Sequence, residues 1–290
     1  MYKKPIIIAE IGCNHMGSFD IAKKMIISAK KSGASYVKFQ KRDNRYLLGN
    51  RYYEKHPVYE NSFGKNYGEH RDYLEFNLNQ HKRLIKFCKK VGIKYATSVW
   101  EKNSALQFIK IQKDIDYLKV PSACNLDFEL LKILAEKFKK KIHVSLGMTK
   151  KDEIDKILKF FKKKKRSKDL IIYQCCSSYP AKFDDLNLLN IKLLKEKYKN
   201  YFSEIAFSGH HLGISADIAA YTLGANIIER HFTLDRTLKG TDHAASLEPD
   251  GLKKLCRDLY SVSLALKLSL SNKILKNEVQ VREKLKVFRD

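Results

Sequence analysis

The fold of this chain is decided by Phe207–Pro249, which reads FSGHHLGISADIAAYTLGANIIERHFTLDRTLKGTDHAASLEP. This stretch begins with an apolar segment that ends just before His210, passes through a helical segment rich in small residues, and reaches a second apolar segment that ends just before His231. A short helical crossover makes two strands parallel neighbours, so their carboxyl ends lie on the same edge of a sheet. We therefore predict strands at Ile205–Ser208 and Ile227–Arg230 that bring both imidazoles into one cleft.

These two histidines predict a metal site. Two neutral imidazoles with open coordination positions suit a divalent metal ion that also holds substrate oxygens. Asp242 and His243, in the loop after the second strand, could join the same site. The alternative is that each histidine is a hydrogen-bonded polar group at a strand end, which is the commoner role of a single histidine. Both interpretations stay open at this point.

Short β-branched and aromatic segments alternate with helical patterns along the rest of the chain, and they predict strands buried on both faces. The other predicted strands are Ile6–Glu10, Tyr36–Gln40, Ile93–Ser98, Tyr117–Val120, Ile142–Ser145 and Leu170–Cys175. The predicted helices are Phe19–Ser32, Asn79–Val91, Lys102–Ile111, Asp127–Lys140, Lys151–Lys164, Leu186–Lys199, Ile214–Leu223 and Gly251–Leu268. Eight strand–helix pairs are typical of a TIM (β/α)8 barrel, which we assign to residues 1–268. An open doubly wound sheet is the competing architecture, but no glycine-rich dinucleotide fingerprint follows the first strand.

The composition describes a strongly basic globular protein of 290 residues with a formal net charge of +25. A nucleic-acid-binding protein is one hypothesis for such a charge. The lysines fall mainly in amphipathic helical segments and no nucleic-acid motif accompanies them, so an enzyme with an anionic substrate is the preferred hypothesis. The six cysteines show no zinc spacing, and the apolar run Ile6–Ala9 is too short for a signal peptide or a membrane span. These features predict a cytoplasmic protein.

Polar side chains collect at the carboxyl ends of the predicted strands, where TIM barrels carry their active sites. Lys38 and Lys119 lie within apolar strands, and their burial is costly without an anion. Donors that suit phosphate or carboxylate oxygens, together with one carboxylate, lie at the other ends: Glu10, Gln40, Thr97, Ser122, Ser145, Ser177 and Ser208. We predict a phosphorylated anionic ligand beside the metal. The alternative is a structural network in which the two lysines pair with Glu10 and a nearby aspartate.

One connection is much longer than the others. Residues 41–78 separate the second strand from the next long helix, and they include several tyrosines, among them Tyr52, Tyr59 and Tyr67. Loops of this length within a compact domain are usually functional or disordered, and the tyrosines argue against disorder. We predict that the segment is either a lid over the catalytic face or an arm that reaches a partner subunit.

Short motifs occur along Ile6–Pro249 in the following order: Ala9-Glu10-Ile11-Gly12-x-Asn14-His15-x-Gly17, Val37-Lys38-Phe39-Gln40, Lys119-Val120-Pro121-Ser122, Ser145-x-Gly147-Met148, Ser177-Ser178-Tyr179-Pro180, Phe207-Ser208-x-His210 and Ile228-Glu229-Arg230-His231-Phe232-Thr233. In these motifs the chain resembles the N-acetylneuraminate (sialic acid) synthase family. The resemblance implies a TIM barrel that condenses phosphoenolpyruvate with an open-chain sugar aldehyde, typically N-acetylmannosamine, to a nonulosonic acid and free phosphate. It also implies a requirement for manganese or magnesium, and a homodimer.

The resemblance implies roles for individual positions. His210 and His231 correspond to the metal ligands. Glu10 corresponds to a site carboxylate, and either Glu10 or a metal-bound water is our candidate for activating the attacking water. Gln40 and Asp242 correspond to positions that face the sugar or the intermediate. The implied phosphoenolpyruvate cradle comprises Lys38, Lys119, Ser122, Ser145, Ser177 and Ser208, with Thr97 beside them.

Three departures from the family pattern bear on the acceptor, and one of them is Gly209 in place of the aspartate that usually precedes the first metal histidine. Typical members have a glutamate after the fourth strand, where this chain has Ser122-Ala123-Cys124-Asn125. They also carry a C-terminal antifreeze-like domain whose arginine reaches the N-acetyl group in a partner's site. We expect no such domain here, and residues 269–290 are predicted to form a polar, weakly helical tail. The candidate substitutes for the arginine are Arg71 and the long loop 41–78. The alternative activity is therefore synthesis of a different ulosonic acid, for example an eight-carbon one made from another aldose.

Overall fold

Eight strands pair in chain order around a closed barrel in the computed structural model of the protein, which describes residues 3–267 and 273–287. Neighbouring strands are parallel, and the last strand pairs with the first. The strands are β1 (Ile6–Gly12), β2 (Tyr36–Lys41), β3 (Lys94–Val99), β4 (Tyr117–Val120), β5 (Lys141–Ser145), β6 (Leu170–Cys175), β7 (Glu204–Gly209) and β8 (Ile227–His231). The predicted TIM barrel is confirmed, and the bounds of each strand lie within two residues of the prediction.

Helices lie between the strands along the chain, and the last two follow β8. They are α1 (Phe19–Lys31), α2 (Asn44–Leu48), α3 (Tyr67–Leu74), α4 (Leu78–Val91), α5 (Lys102–Ile109), α6 (Phe128–Lys137), α7 (Lys151–Lys163), α8 (Asn190–Lys197), α9 (Ser215–Thr222), α10 (Pro249–Ala265) and α11 (Val279–Leu285). Helix α6 ends before the predicted Lys140, because Phe138 turns into the core in an extended conformation. The predicted end of the last barrel helix, Leu268, lies outside the described residues. Among the described helices, none has the length and apolar character needed to cross a membrane.

The barrel interior changes from apolar to polar along the strands. Its amino-terminal half is filled by Ile8, Ala96, Tyr117, Ile171, Tyr173, Ala206 and Ile227. Because successive side chains of a strand point to opposite faces, a residue two places further along points inwards as well. Three charged residues follow the apolar ones in this way: Glu10 after Ile8, Lys119 after Tyr117, and Glu229 after Ile227. The strand faces that contact the helices belong to the larger apolar core. The charged side chains therefore lie inside the barrel, towards its carboxyl end.

Residues 41–78, which we call the lid segment, fold into short elements that include α2 and α3. The Asp72 carboxylate joins them, because it accepts hydrogen bonds from Asn44 Nδ2 at 2.8 Å and from the Tyr52 hydroxyl at 2.5 Å. Lys41 Nζ lies 2.7 Å from Glu75 Oε1, and this ion pair ties the two ends of the segment together. The long connection is therefore an ordered structure built on side-chain contacts.

The lid segment contacts the barrel on two sides. Beyond β8, the Gly240 N–H donates to Asn61 Oδ1 at 3.2 Å. Beyond β1, Gly17 has a φ of +71°, and a Cβ atom at this position would lie 2.4 Å from the Tyr73 carbonyl oxygen, so the close approach of α3 requires glycine. These contacts favour the lid hypothesis. The arm hypothesis, which needs a partner subunit, stays a prediction.

Candidate active site

A cavity of about 310 Å3 lies at the carboxyl end of the barrel. It brings together residues that are far apart in the sequence, and the predicted site residues that line it are Glu10, Lys38, Gln40, Arg71, Lys119, Ser122, Ser145, Ser177, Ser208, His210, His231 and Asp242. The roles assigned to them stay predictions. A larger cavity of about 550 Å3 lies beside it, between α7 and α8. Its lining includes none of the following residues: Glu10, Lys38, Lys119, His210 and His231.

Thr97 is the predicted site residue that the structure does not bring to the cavity. It pairs in the sheet with Phe39 and Leu118, and its hydroxyl donates to the Ser98 carbonyl oxygen at 3.2 Å. Ser98 lines the cavity, and adjacent side chains on a strand point to opposite faces. The side chain of Thr97 therefore faces the helices, and the expectation that it joins the cradle is corrected.

Four buried charged residues form an ionic cluster at the base of the cavity. Lys38 Nζ lies 2.6 Å from Glu10 Oε2 and 3.6 Å from Glu229 Oε1. Lys119 Nζ lies 2.7 Å from the same Glu229 oxygen. Each of the four residues is at most 4% exposed. The ion pairs that the alternative hypothesis expected for the two lysines are present, with Glu229 in place of the aspartate; the anionic ligand beside them stays a prediction.

The charges of this cluster shift the pKa values of its members. Burial alone would raise the pKa of Glu229, but the positive charges of Lys119 and Lys38 lower it to about 2. Burial would lower the pKa of Lys38, yet the carboxylates of Glu10 and Glu229 raise it. Burial lowers the pKa of Lys119, which shares its single carboxylate partner with Lys38. Two positive charges are balanced by two negative ones, and Lys119 is the ammonium group that gains most from a new anionic partner.

Glu229 is a site residue that the sequence analysis missed. The signal was present, because Glu229 lies two positions before His231 on the same strand and must point to the same side. Strand register also places Glu229 opposite Ser208, whose hydroxyl donates to Glu229 Oε1 at 3.3 Å. The alternation of side chains along β8 is sufficient to predict that Glu229 points into the barrel.

Serine hydroxyls surround the ionic cluster. The Gly147 N–H donates to Ser122 Oγ at 3.1 Å. A Cβ atom at Gly147 would lie 2.7 Å from Ser122 Oγ and 2.4 Å from Ser177 Oγ, so this glycine allows both hydroxyls to approach one point. Hydroxyls and backbone N–H groups that converge in this way suit the oxygen atoms of a phosphate or a carboxylate.

The imidazole rings of His210 and His231 lie side by side, with centroids 5.4 Å apart. His210 Nδ1 lies 2.6 Å from the Cys176 carbonyl oxygen, which can only accept, so Nδ1 carries the proton and the other ring nitrogen keeps its lone pair. His231 Nδ1 lies 3.9 Å from Asp242 Oδ2. Burial lowers the pKa of His210 to about 4 and also lowers the pKa of His231. Both rings are therefore neutral near pH 7, as metal ligands must be.

The protein side chains supply some, but not all, of the ligands that a divalent metal ion needs. Within residues 3–267 and 273–287, no three His, Cys, Asp or Glu side chains are grouped as a metal site. The protein therefore offers two imidazoles. His231 Nδ1 is buried without a hydrogen-bond partner, and the neighbouring ring of His210 holds a free lone pair. Two imidazoles fit an ion that completes its coordination with water or substrate oxygens.

Two arginines that follow β2 in the chain also line the cavity. The Arg42 guanidinium stacks on the Trp100 ring at 3.9 Å and donates to Gln40 Oε1. Arg71, from the lid segment, donates to the Tyr67 hydroxyl at 3.2 and 3.1 Å. Neither guanidinium forms a salt bridge with a carboxylate of the described residues. Arg42 was not predicted, since it follows β2 in a segment without a periodic pattern.

The model of the NeuB family matches residues 25–270. The chain belongs to the NeuB family of sialic acid synthases. It is 37% identical over 281 residues to the N-acetylneuraminate-9-phosphate synthase of Mus musculus, and the match covers 96% of this chain and 76% of that protein.

Other members of the family are similar over most of their length. The N,N'-diacetyllegionaminic acid synthase of Campylobacter jejuni is 34% identical over 267 residues, which cover 91% of this chain and 78% of that protein. The crystal structure of the N-acetylneuraminic acid synthetase from Leptospira borgpetersenii, in complex with citrate, matches with a TM-score of 0.80 and 29% identity. That match covers 98% of this chain and 93% of the other. Family membership favours an enzyme over the nucleic-acid-binding hypothesis, which rested on net charge alone.

Proposed function

We propose that this NeuB family protein condenses phosphoenolpyruvate with the open-chain aldehyde of N-acetylmannosamine or a related amino sugar, giving a nonulosonic acid and free phosphate. One observation carries the proposal: paired imidazoles, a buried lysine–glutamate cluster and converging serine hydroxyls line the same cavity. The names of the relatives, which are synthases of sialic and legionaminic acids, support the product class.

The reaction has three bond changes that the site must assist. The enol carbon of phosphoenolpyruvate attacks the aldehyde carbon and forms the new carbon–carbon bond. Positive charge then develops on the carbon that bears the phosphate, and water adds there. The carbon–oxygen bond to phosphate finally breaks and its two electrons leave with the phosphate, while the added water oxygen becomes the ketone oxygen. Of the two protons of that water, one ends on the former aldehyde oxygen and one on the phosphate. The protein must therefore hold an anion, orient an aldehyde and accept a proton from water.

Lys38 and Lys119 are the proposed anion-binding groups. In the free protein their charges are satisfied by Glu10 and Glu229, which keeps the cluster stable without ligand. An anionic substrate can compete with Glu229 for Lys119, because this ammonium has one carboxylate neighbour and shares it. As charge builds on the departing phosphate, a fixed ammonium stabilises it without rearrangement of solvent.

The metal is proposed to be Mn2+ or Mg2+, held by His210 and His231. A bound divalent ion supplies Lewis-acid polarisation of the aldehyde oxygen. Asp242, 3.9 Å from the His231 ring, is proposed to orient the acceptor at the same edge of the cavity. Glu10 is proposed to accept the proton of the attacking water, since its Oε1 receives a hydrogen bond from Gln40 at 2.7 Å that fixes the carboxylate plane.

The proposal is tested by phosphate release from phosphoenolpyruvate, measured with and without divalent metal. The acceptors are a panel of free and phosphorylated aldoses and N-acyl hexosamines. We expect release that requires both the metal and an N-acyl hexosamine. Release only with a shorter aldose would identify a different ulosonic acid, and no release with any acceptor would contradict the proposed function.

A phosphorylated acceptor is the second candidate. The cluster lysines are already balanced by carboxylates, whereas Arg42 and Arg71 line the cavity without a salt bridge in the described part of the chain. Two guanidinium groups offer several donors to a phosphate at the far end of a sugar. Relatives named for a 9-phosphate product are consistent with this choice.

Replacing Arg71 by glutamine separates the two acceptors. If the acceptor carries a terminal phosphate, we expect its KM to rise about 10- to 100-fold, the value of a lost hydrogen bond to a charged group. The KM of the free sugar should change little. The matched control is Arg45→Gln in the same lid segment, because Arg45 also contacts a tyrosine, with its guanidinium 3.9 Å from the centre of the Tyr52 ring, but does not line the cavity. Equal effects of Arg71→Gln on both sugars would count against a phosphate subsite.

A further inference from the structure

Arg230 is a fully buried arginine directly behind the candidate metal ligands. It lies on β8 between Glu229 and His231, which both line the cavity, so its own side chain points out of the barrel towards α9. Its exposed fraction is 1%, and its partner Asp217 on α9 is completely buried. Arg230 Nη1 lies 2.5 Å from Asp217 Oδ2.

The same guanidinium binds the turn that follows β7. Nη1 donates to the Gly213 carbonyl oxygen at 2.7 Å, and Nη2 donates to the His211 carbonyl oxygen at 2.5 Å. This turn begins with His210. The Arg230 side chain therefore connects the strand that ends in one candidate ligand with the turn that carries the other.

A role in stability alone is a weak explanation for this arrangement. Replacing a buried ion pair by well-packed apolar residues is often neutral or stabilising, because the desolvation of both charges is costly. What an arginine supplies beyond an apolar side chain is a rigid, planar set of donors that fixes several acceptors at once. Here those acceptors are two carbonyl groups of one turn and a helix carboxylate, and the His211 Nε2 atom lies 3.2 Å from Nη1 beside them. The network fixes the turn relative to β8, and with it the 5.4 Å separation of the two imidazole rings.

We propose that Arg230, held by Asp217, is a positioning residue for the metal site and sets the geometry of His210 relative to His231 from outside the barrel. This inference rests on the metal site of the proposed function. A lysine at position 230 keeps the positive charge but cannot direct parallel donors to two carbonyl groups and a carboxylate. Groups that orient metal ligands in this indirect way commonly contribute a factor of about 10 to 100 to metal affinity.

The test is a titration of the purified protein with Mn2+ alone, without substrates, with free Mn2+ followed by electron paramagnetic resonance. We expect Arg230→Lys to bind Mn2+ about 10- to 100-fold more weakly than the wild type. The matched control is Arg166→Lys, because Arg166 also pairs with an aspartate, Asp169, and donates to three backbone carbonyl oxygens, but before β6 at the opposite end of the barrel. Arg166→Lys should lower the free energy of unfolding and leave the Mn2+ affinity unchanged.

A second variant keeps the test decisive if Arg230→Lys does not fold. Asp217→Asn keeps the size of the side chain but removes the negative charge that holds the Arg230 guanidinium to α9. It should weaken Mn2+ binding, as Arg230→Lys does. Unchanged Mn2+ affinity in the folded variants, with binding by the wild type, would overturn this inference alone. Absence of Mn2+ binding by the wild type would overturn the metal assignment of the proposed function, and this inference with it.

Discussion

Replacing Lys119 by methionine is expected to lower kcat about 10²- to 10³-fold, the usual effect of removing one donor that stabilises developing negative charge. The exchange removes the ammonium but keeps a long unbranched side chain, which can still pack against the Tyr173 ring that Lys119 Nζ approaches to 4.1 Å. The free energy of unfolding should fall by about 3 kcal/mol, because Glu229 loses its 2.7 Å partner. This loss of stability lies at the lower end of the usual range for breaking a buried ion pair, since Lys38 Nζ remains 3.6 Å from Glu229 Oε1.

A double variant separates the catalytic effect from the structural one. In Lys119→Met with Glu229→Gln, the buried carboxylate that lost its partner is also neutralised, so most of the lost stability should return. Activity should not return, because the ammonium group is still missing. Urea unfolding and phosphate release from phosphoenolpyruvate measure the two properties on the same samples. Substantial turnover by the double variant would mean that Lys119 serves only to balance Glu229.

The barrel could be predicted from the sequence because its strands are distinctive. Each is a short apolar or β-branched run buried on both faces, and each is separated from the next by a helical pattern. The polar residues at the strand ends were conspicuous for the same reason. Lys38, Lys119, His210 and His231 stand out against apolar neighbours, and parallel pairing brings such ends to one place. The fold, and the grouping of these side chains in one cavity, therefore follow from local sequence patterns and from the rule that parallel strands end on the same side of the barrel.

The pairing of charges could not be predicted in the same way. Which carboxylate neutralises Lys119 depends on two strands on opposite sides of the barrel, 110 positions apart in the chain. Thr97 illustrates a different error. It is a polar residue near a strand end and was predicted to line the cavity, but the alternation of side chains along β3 points it towards the helices. In the lid segment no periodic pattern exists, since its elements are held by individual contacts such as those of Asp72. Arg42 was missed for that reason.

Glu10→Gln is expected to remove turnover while the protein keeps its metal. The carboxylate contacts Gln40 Nε2 at 2.7 Å and Lys38 Nζ at 2.6 Å, and a glutamine amide can preserve a hydrogen bond to one of them while it loses the capacity to accept a proton. Loss of a general base lowers kcat about 10²- to 10⁴-fold. Binding of Mn2+ should be unchanged, because the proposed ligands are His210 and His231.

The contrasting variant is His231→Asn, for which Mn2+ binding and turnover should be lost together. The two exchanges therefore have different signatures, and titration with Mn2+ followed by measurement of phosphate release on the same preparations distinguishes them. An unimpaired Glu10→Gln variant would dismiss Glu10 as the base. Weakened Mn2+ binding in Glu10→Gln would instead make this carboxylate a third metal ligand, and the two-imidazole site would have to be extended to include it.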